Sequence, residues 1–189
     1  MLYLSAAIAL TGWARHNQSE DHDQTPALHA ADTASKSDTM PDPDHLTLRD
    51  YEGADLDACM MIWREASQVA HPFLSPDELD ADGDITRAHY IPAARITMAE
   101  LRGVPAGFIA MKGDYIAALF VHPRYHRKGI GRTLLDHVRA DRADIDVDVY
   151  LDNRQARAFY RAAGFQEFCC FMRDARDRPL PVVRLRLAA

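Results

Sequence analysis

An α/β fold built around a sheet is what the sequence predicts, on three observations. Apolar residues recur at helical spacing in some stretches and alternate with period two in others, and the two kinds are interleaved along the chain. The run Tyr115 to Val121, YIAALFV, is continuously apolar, as a strand buried on both faces must be. It is followed by a helix-spaced stretch and then by another alternating one, which makes a strand–helix–strand unit.

Residues 45–51 (HLTLRDY) alternate as a short first strand. Leu56, Cys59, Met60, Trp63 and Ala66 share one face of a helix over 55–69, which HPFLSPDE ends, and a weaker helix follows over 77–91. Residues 94–101 and 106–111 read as strands joined by an Arg-Gly-Val-Pro turn. After Tyr115–Val121, the stretch 129–140 carries Ile130, Leu134, Leu135 and Val138 on one side. Residues 144–151 alternate through Ile145, Val147, Val149 and Leu151. Asn153 can cap a helix with Ala156, Phe159, Tyr160 and Ala163 on one face, and Gly164 can end it. Strands near 165–172 and 180–187 complete the chain.

The 189 residues suit one domain and a tail, with 48% hydrophobic and 26% charged residues. Residues 14–44 are rich in Ser, Asp, His and Thr and offer little apolar surface to offset the entropy of ordering. We therefore expect an unfolded extension over 1–44, with Met40 as an alternative start, and the working domain over 45–189. The stretch Leu2 to Leu10, LYLSAAIAL, is too short to span a bilayer, and no basic residue precedes it as in a signal peptide. The net charge is −6, of which the first 39 residues hold −3, so neither a nucleic-acid nor a membrane partner is expected. Cys59, Cys169 and Cys170 cannot form a disulfide framework, which favours a reducing, cytoplasmic compartment. No histidine or cysteine spacing suggests a metal site.

One segment breaks the acidic trend. In VHPRYHRKGIGRTLL, Arg124, Arg127, Lys128 and Arg132 fall within nine residues with no acid between them. Gly129 and Gly131 stand where the helix begins, so main chain can approach a ligand and unpaired helix amides can face it. That combination suits a phosphate or pyrophosphate. Neither a Walker A loop nor a Rossmann fingerprint is present, so the ligand is a phosphorylated cofactor of another kind.

LFVHPRYHRKGIGRTLL resembles motif A of the GNAT superfamily of N-acetyltransferases, and VYLDNRQARAFYRAAGF resembles motif B, in the family's order and spacing. IWREASQVAHPFL is similar to small bacterial members. His126 departs from the Gln or Arg usual at the head of motif A. The resemblance implies a GNAT fold, a mixed and mostly antiparallel twisted sheet with flanking helices and the cofactor at splayed strands. It implies acetyl-CoA as co-substrate and direct acetyl transfer to a primary amine, a protein lysine or a small molecule. Main chain of Leu119, Phe120 and Val121 would pair with the pantetheine arm, with one amide polarising the thioester carbonyl. Amides of Arg127, Lys128, Gly129, Ile130, Gly131 and Arg132 would hold the pyrophosphate. Asn153 would contact the arm, and Tyr160 would be the general acid.

The strand before motif A carries no carboxylate, which leaves the general base unassigned among Asp114, Glu100 and Asp152. His71, Phe73 and Tyr115 are the substrate-side candidates, with Trp63 nearby; for each, core packing is the simpler role. The alternatives to an enzyme are an acyl-CoA-binding sensor, a partner-docking module and a nucleotide-binding module. A monomer and a homodimer are equally compatible with the sequence.

Overall fold

The computed structural model describes residues 45–188 and one short strand, β1 (Ser5–Ala6). The expected unfolded extension over 1–44 otherwise lies outside the described residues. The elements that follow are β2 (Leu46–Asp50), α1 (Leu56–Ala70), α2 (Pro76–Ile85), β3 (Arg95–Leu101), β4 (Val104–Lys112) and β5 (Tyr115–Val121). They continue with α3 (Ile130–Arg139), β6 (Ile145–Tyr150), α4 (Arg154–Ala162), β7 (Gln166–Phe171) and β8 (Val182–Leu187).

Local chemistry accounts for the element ends. Ser75 and Glu78 form a reciprocal capping box with Pro76 behind it, which starts α2 one residue earlier than expected. Helical structure continues from α2 through a wider turn at Thr86–Tyr90 to Ala93. Arg102 and Gly103 both have positive φ, 57° and 72°, and make the turn between β3 and β4 by themselves. Val104 and Pro105 consequently belong to β4 and not to the turn. Pro105 is tolerated there because the β3–β4 register shifts between Ala99 and Glu100.

Seven strands lie in the order β2-β3-β4-β5-β6-β8-β7, and β1 adds to β5. Every pairing is antiparallel except β5 with β6. The sheet is the middle layer. On one face α1 packs Cys59, Ile62, Trp63 and Ala66 against Met98, Phe108 and Phe120. On the other, α3 and α4 bury Ile130, Leu134, Leu135 and Tyr160 against Ile109, Leu119, Val147 and Val149. Each of the large aliphatic and phenylalanine side chains among these contributes about 1.5–3 kcal/mol on leaving water. With helices on both faces, all of β5 is buried, as its unbroken apolar run requires. Cys59 is buried, which pushes its thiol up to about 12. Neither Cys169 nor Cys170 is buried, because β7 is an edge strand whose register shifts between Glu167 and Cys169. No helix among the described residues is long and apolar enough to cross a membrane.

Candidate active site

The parallel strands β5 and β6 are paired only at Tyr115–Asp146 and Ile116–Val147, near their N-terminal ends, and splay apart beyond. On the other side of β5 the register with β4 shifts, and Ala117 is the extra residue of a bulge. The N–H of His122 donates to the carbonyl of Ala106 on β4 at 2.9 Å. Main-chain groups alternate sides along a strand, so those of Phe120 also face β4 while those of Leu119 and Val121 face the splay. Of the three residues expected to pair with a ligand, Phe120 therefore contributes its buried ring. This edge does accept extended main chain. β1 lies antiparallel on it, with Ala6 opposite Leu119 and Ser5 opposite Phe120, against β6, α1 and α4 as well. Gly107, on β4, was not singled out from sequence; a Cβ there would stand 2.8 Å from the Phe120 carbonyl oxygen.

At the open end of the splay, a cavity of about 150 Å³ lies between the motif A loop and Phe159 of α4. The two segments that the sequence linked as motifs thus meet across one pocket. Arg127 has φ +66° and Gly129 φ +79°, a backbone that turns successive amides inward at the start of α3. The first amides of α3, at Ile130, Gly131 and Arg132, have no partner within the helix. Arg124, Arg127 and Lys128 are exposed and make no ion pair among the described residues, whereas Arg132 is paired with Asp136 at 2.7 Å. The ring of His126 bonds through Nε2 to the Val121 carbonyl at 2.8 Å, tying the loop to the end of β5. Burial holds that imidazole below its ordinary pKa.

Tyr160 is wholly buried between the rings of Phe159 and Phe165, each 5.1 Å away, and its hydroxyl has no hydrogen-bond partner among the described residues. Burial pushes its pKa up, so the phenol keeps its proton. Tyr115 is also buried, beneath the Arg184 guanidinium. Its pKa is raised first by burial and then by the carboxylate of Asp148. Asn153 caps α4, its Oδ1 accepting from the Ala156 N–H at 3.0 Å. His71 and Phe73 pack edge-on to Tyr150 at 5.3 and 5.2 Å. Trp63 belongs to the core under α1.

A charged clasp beside these rings was not legible in the sequence. Asp174 accepts from the Tyr150 hydroxyl at 3.0 Å and from Arg178 Nε at 2.6 Å, and Arg178 also reaches Asp82 on α2 at 3.1 Å. Arg176 binds the same Asp82. Residues so distant in sequence leave no local pattern. Among the candidate bases, Glu100 is held by Arg49 at 2.7 Å on β3, two strands from the splay. Asp114 lies in the turn before Tyr115, at the paired end of β5, and Asp152 is exposed.

The sequence matches the Acetyltransferase (GNAT) domain family over residues 92–167. It is 30% identical to the peptidyl-lysine N-acetyltransferase YiaC of Escherichia coli over 133 residues, 70% of this chain and 91% of that one. Identity to peptidyl-lysine N-acetyltransferase YjaB of the same organism is 30% over 138 residues, 72% and 91% of the two chains. The solution structure of apo YjaB superposes with a TM-score of 0.70 at 26% identity, covering 77% of this chain and 99% of that one. With the splayed strands and glycine-bearing helix start in place, this likeness over nearly the whole of small enzymes makes the chain a member of the GNAT family, an acetyltransferase.

Proposed function

We propose that the enzyme transfers acetyl from acetyl-CoA to the side-chain amine of a protein lysine, with Tyr160 as general acid. The observation that carries this reading is the two-residue parallel pairing of β5 and β6, which opens directly onto the unpaired amides of α3. The residues fit the group. Main chain at Leu119 and Val121 faces the splay, a basic glycine loop stands at its mouth, and the phenol of Tyr160, packed in one core with Leu119 and Val149, has no hydrogen-bond partner among the described residues.

Acetyl-CoA supplies an acyl group activated as a thioester. The main chain of Leu119 and Val121 binds the pantetheine arm as an added strand would bind. The first amides of α3, with Arg127 and Lys128, hold the pyrophosphate at the positive end of the helix dipole. An amide beside the Ala117 bulge donates to the carbonyl oxygen, where negative charge develops. Asn153 contacts the arm. Tyr160 delivers its proton to the sulfur as the C–N bond forms and the C–S bond breaks, and the phenolate regains a proton from solvent as the products leave. The acceptor amine comes from the α1 face, where Phe73 and Tyr115 stand, and releases its proton to solvent. The lysine acceptor is supported by the names of the two relatives.

Isothermal titration of the full chain with acetyl-CoA, CoA and ATP tests the cofactor, and turnover with lysine peptides against small amines tests the acceptor. Binding of both CoA species with ATP silent is expected, with peptides preferred. A folded protein that ignores acetyl-CoA overturns the reading. Binding without turnover on any amine leaves a CoA-binding sensor in its place.

A further inference from the structure

His71 closes α1 and is 4% exposed, yet it lies 82 residues from the polar group it faces. Its Nε2 stands 3.5 Å from Nδ2 of Asn153. The other end of that carboxamide is already fixed, because Oδ1 accepts from the Ala156 N–H. With Oδ1 assigned as acceptor, Nδ2 is a donor, and the contact requires His71 Nε2 to present its lone pair. Burial, and then the positive charge of Arg178, hold the His71 pKa at about 3, so the ring stays neutral and remains an acceptor. The ring itself is wedged edge-on against Phe73 and Tyr150. Tyr150 is in turn fixed by Asp174 and Arg178. A rigid stack thus ends on one carboxamide.

We infer that His71 is a positioning residue: it holds the Asn153 side chain in the orientation that meets the cofactor's arm, and it does not touch the acceptor as its sequence context suggested. This rests on the assignment of Asn153 to the cofactor made above. Orienting a group in advance lowers the cost of binding and leaves the chemical step alone. The signature is therefore a change in affinity for acetyl-CoA without a change in kcat.

A double-mutant cycle in the full chain tests it. His71→Phe keeps the ring packing and removes the acceptor, His71→Leu is a second form of the same change, and His71→Gln restores an acceptor oxygen. Asn153→Ser removes the carboxamide and retains a capping oxygen. We expect His71→Phe to raise the Kd for acetyl-CoA about fivefold and Asn153→Ser about tenfold, with the double variant no weaker than Asn153→Ser alone. His71→Gln should bind within about twofold of wild type, and kcat of the single His71 variants should stay within about twofold of wild type. Multiplied effects in the double variant overturn the inference, as does unchanged affinity in a folded His71→Phe or His71→Leu protein. If Asn153→Ser binds normally, the assignment of Asn153 falls and this inference falls with it. If Asn153→Ser binds weakly and His71→Phe normally, only the inference falls.

Discussion

Tyr160 is wholly buried, and its hydroxyl has no hydrogen-bond partner among the described residues. An unpaired buried hydroxyl costs about 1–3 kcal/mol. Tyr160→Phe should thus raise stability by about 1 kcal/mol while lowering kcat about 100-fold or more, the usual contribution of a general acid. Thermal denaturation beside steady-state kinetics reads both; a stable variant with full turnover would remove Tyr160 from the chemistry. His71 gives a pH prediction. It titrates at about 3 in the folded chain against an ordinary 6.5, so unfolding between those values takes up a proton and acid favours the unfolded state. The stability its neutrality contributes is present above 6.5 and is lost as pH falls, by about 1.4 kcal/mol per unit. His71→Gln should lose less in Tm than wild type between pH 7 and pH 5, and equal losses would mean that the ring titrates normally. At this scale the motif positions were legible, because glycine, asparagine and tyrosine at fixed offsets follow from one helix and one turn. The partner of His71 was not, since a contact across 82 residues leaves no periodicity.

Among the elements, helix faces and the apolar β5 were readable because burial imposes a period on each. The ends were less so. Val104 and Pro105 resembled turn residues until the left-handed pair Arg102–Gly103 was seen to suffice. The point where β5 and β6 part could not be read from sequence, because β5 stays apolar beyond Ile116 and β6 keeps the same alternation on both sides of Val147. On the opposite edge of β5, the register with β4 shifts at Ala117 and β4 comes close at Gly107. The pairing of β1 with β5 has its own consequence. An added strand and the cofactor's arm cannot both use the main chain of Leu119 and Val121. Ala6→Pro removes one N–H from β1 and should tighten acetyl-CoA binding about two- to fivefold, since a competent state occupied a fifth of the time weakens apparent affinity fivefold. Titration of the full-length variant against wild type checks this; identical affinities would show that the two do not compete.

For the whole molecule, the sheet is continuous in outline but unevenly joined. Strands β2 to β5 share long antiparallel ladders, and so do β6 to β8, while two parallel pairs connect one group to the other. Beyond these, the Asp146 N–H donates to the Asp114 carbonyl at 3.0 Å, Asp82 of α2 is held by Arg176 and Arg178 across the end of β6, and one apolar core underlies both groups. A ligand that binds both walls of the splay should protect this junction more than any other part. Saturation at about 100 times Kd adds about 2.7 kcal/mol to stability. Hydrogen exchange should then slow most at the amides of β5 and β6 that border the splay, and least in β2 and β3. Uniform slowing, or none, would place the ligand elsewhere.

On the placement of the arm proposed above, that narrow join makes the co-substrate a structural part of the enzyme. Where acetyl-CoA is plentiful, the two leaves of the sheet are mortared together. Where it is scarce, limited proteolysis should reach the seam between them more readily than in the saturated protein. The working lifetime of the protein then follows the supply of the molecule it consumes.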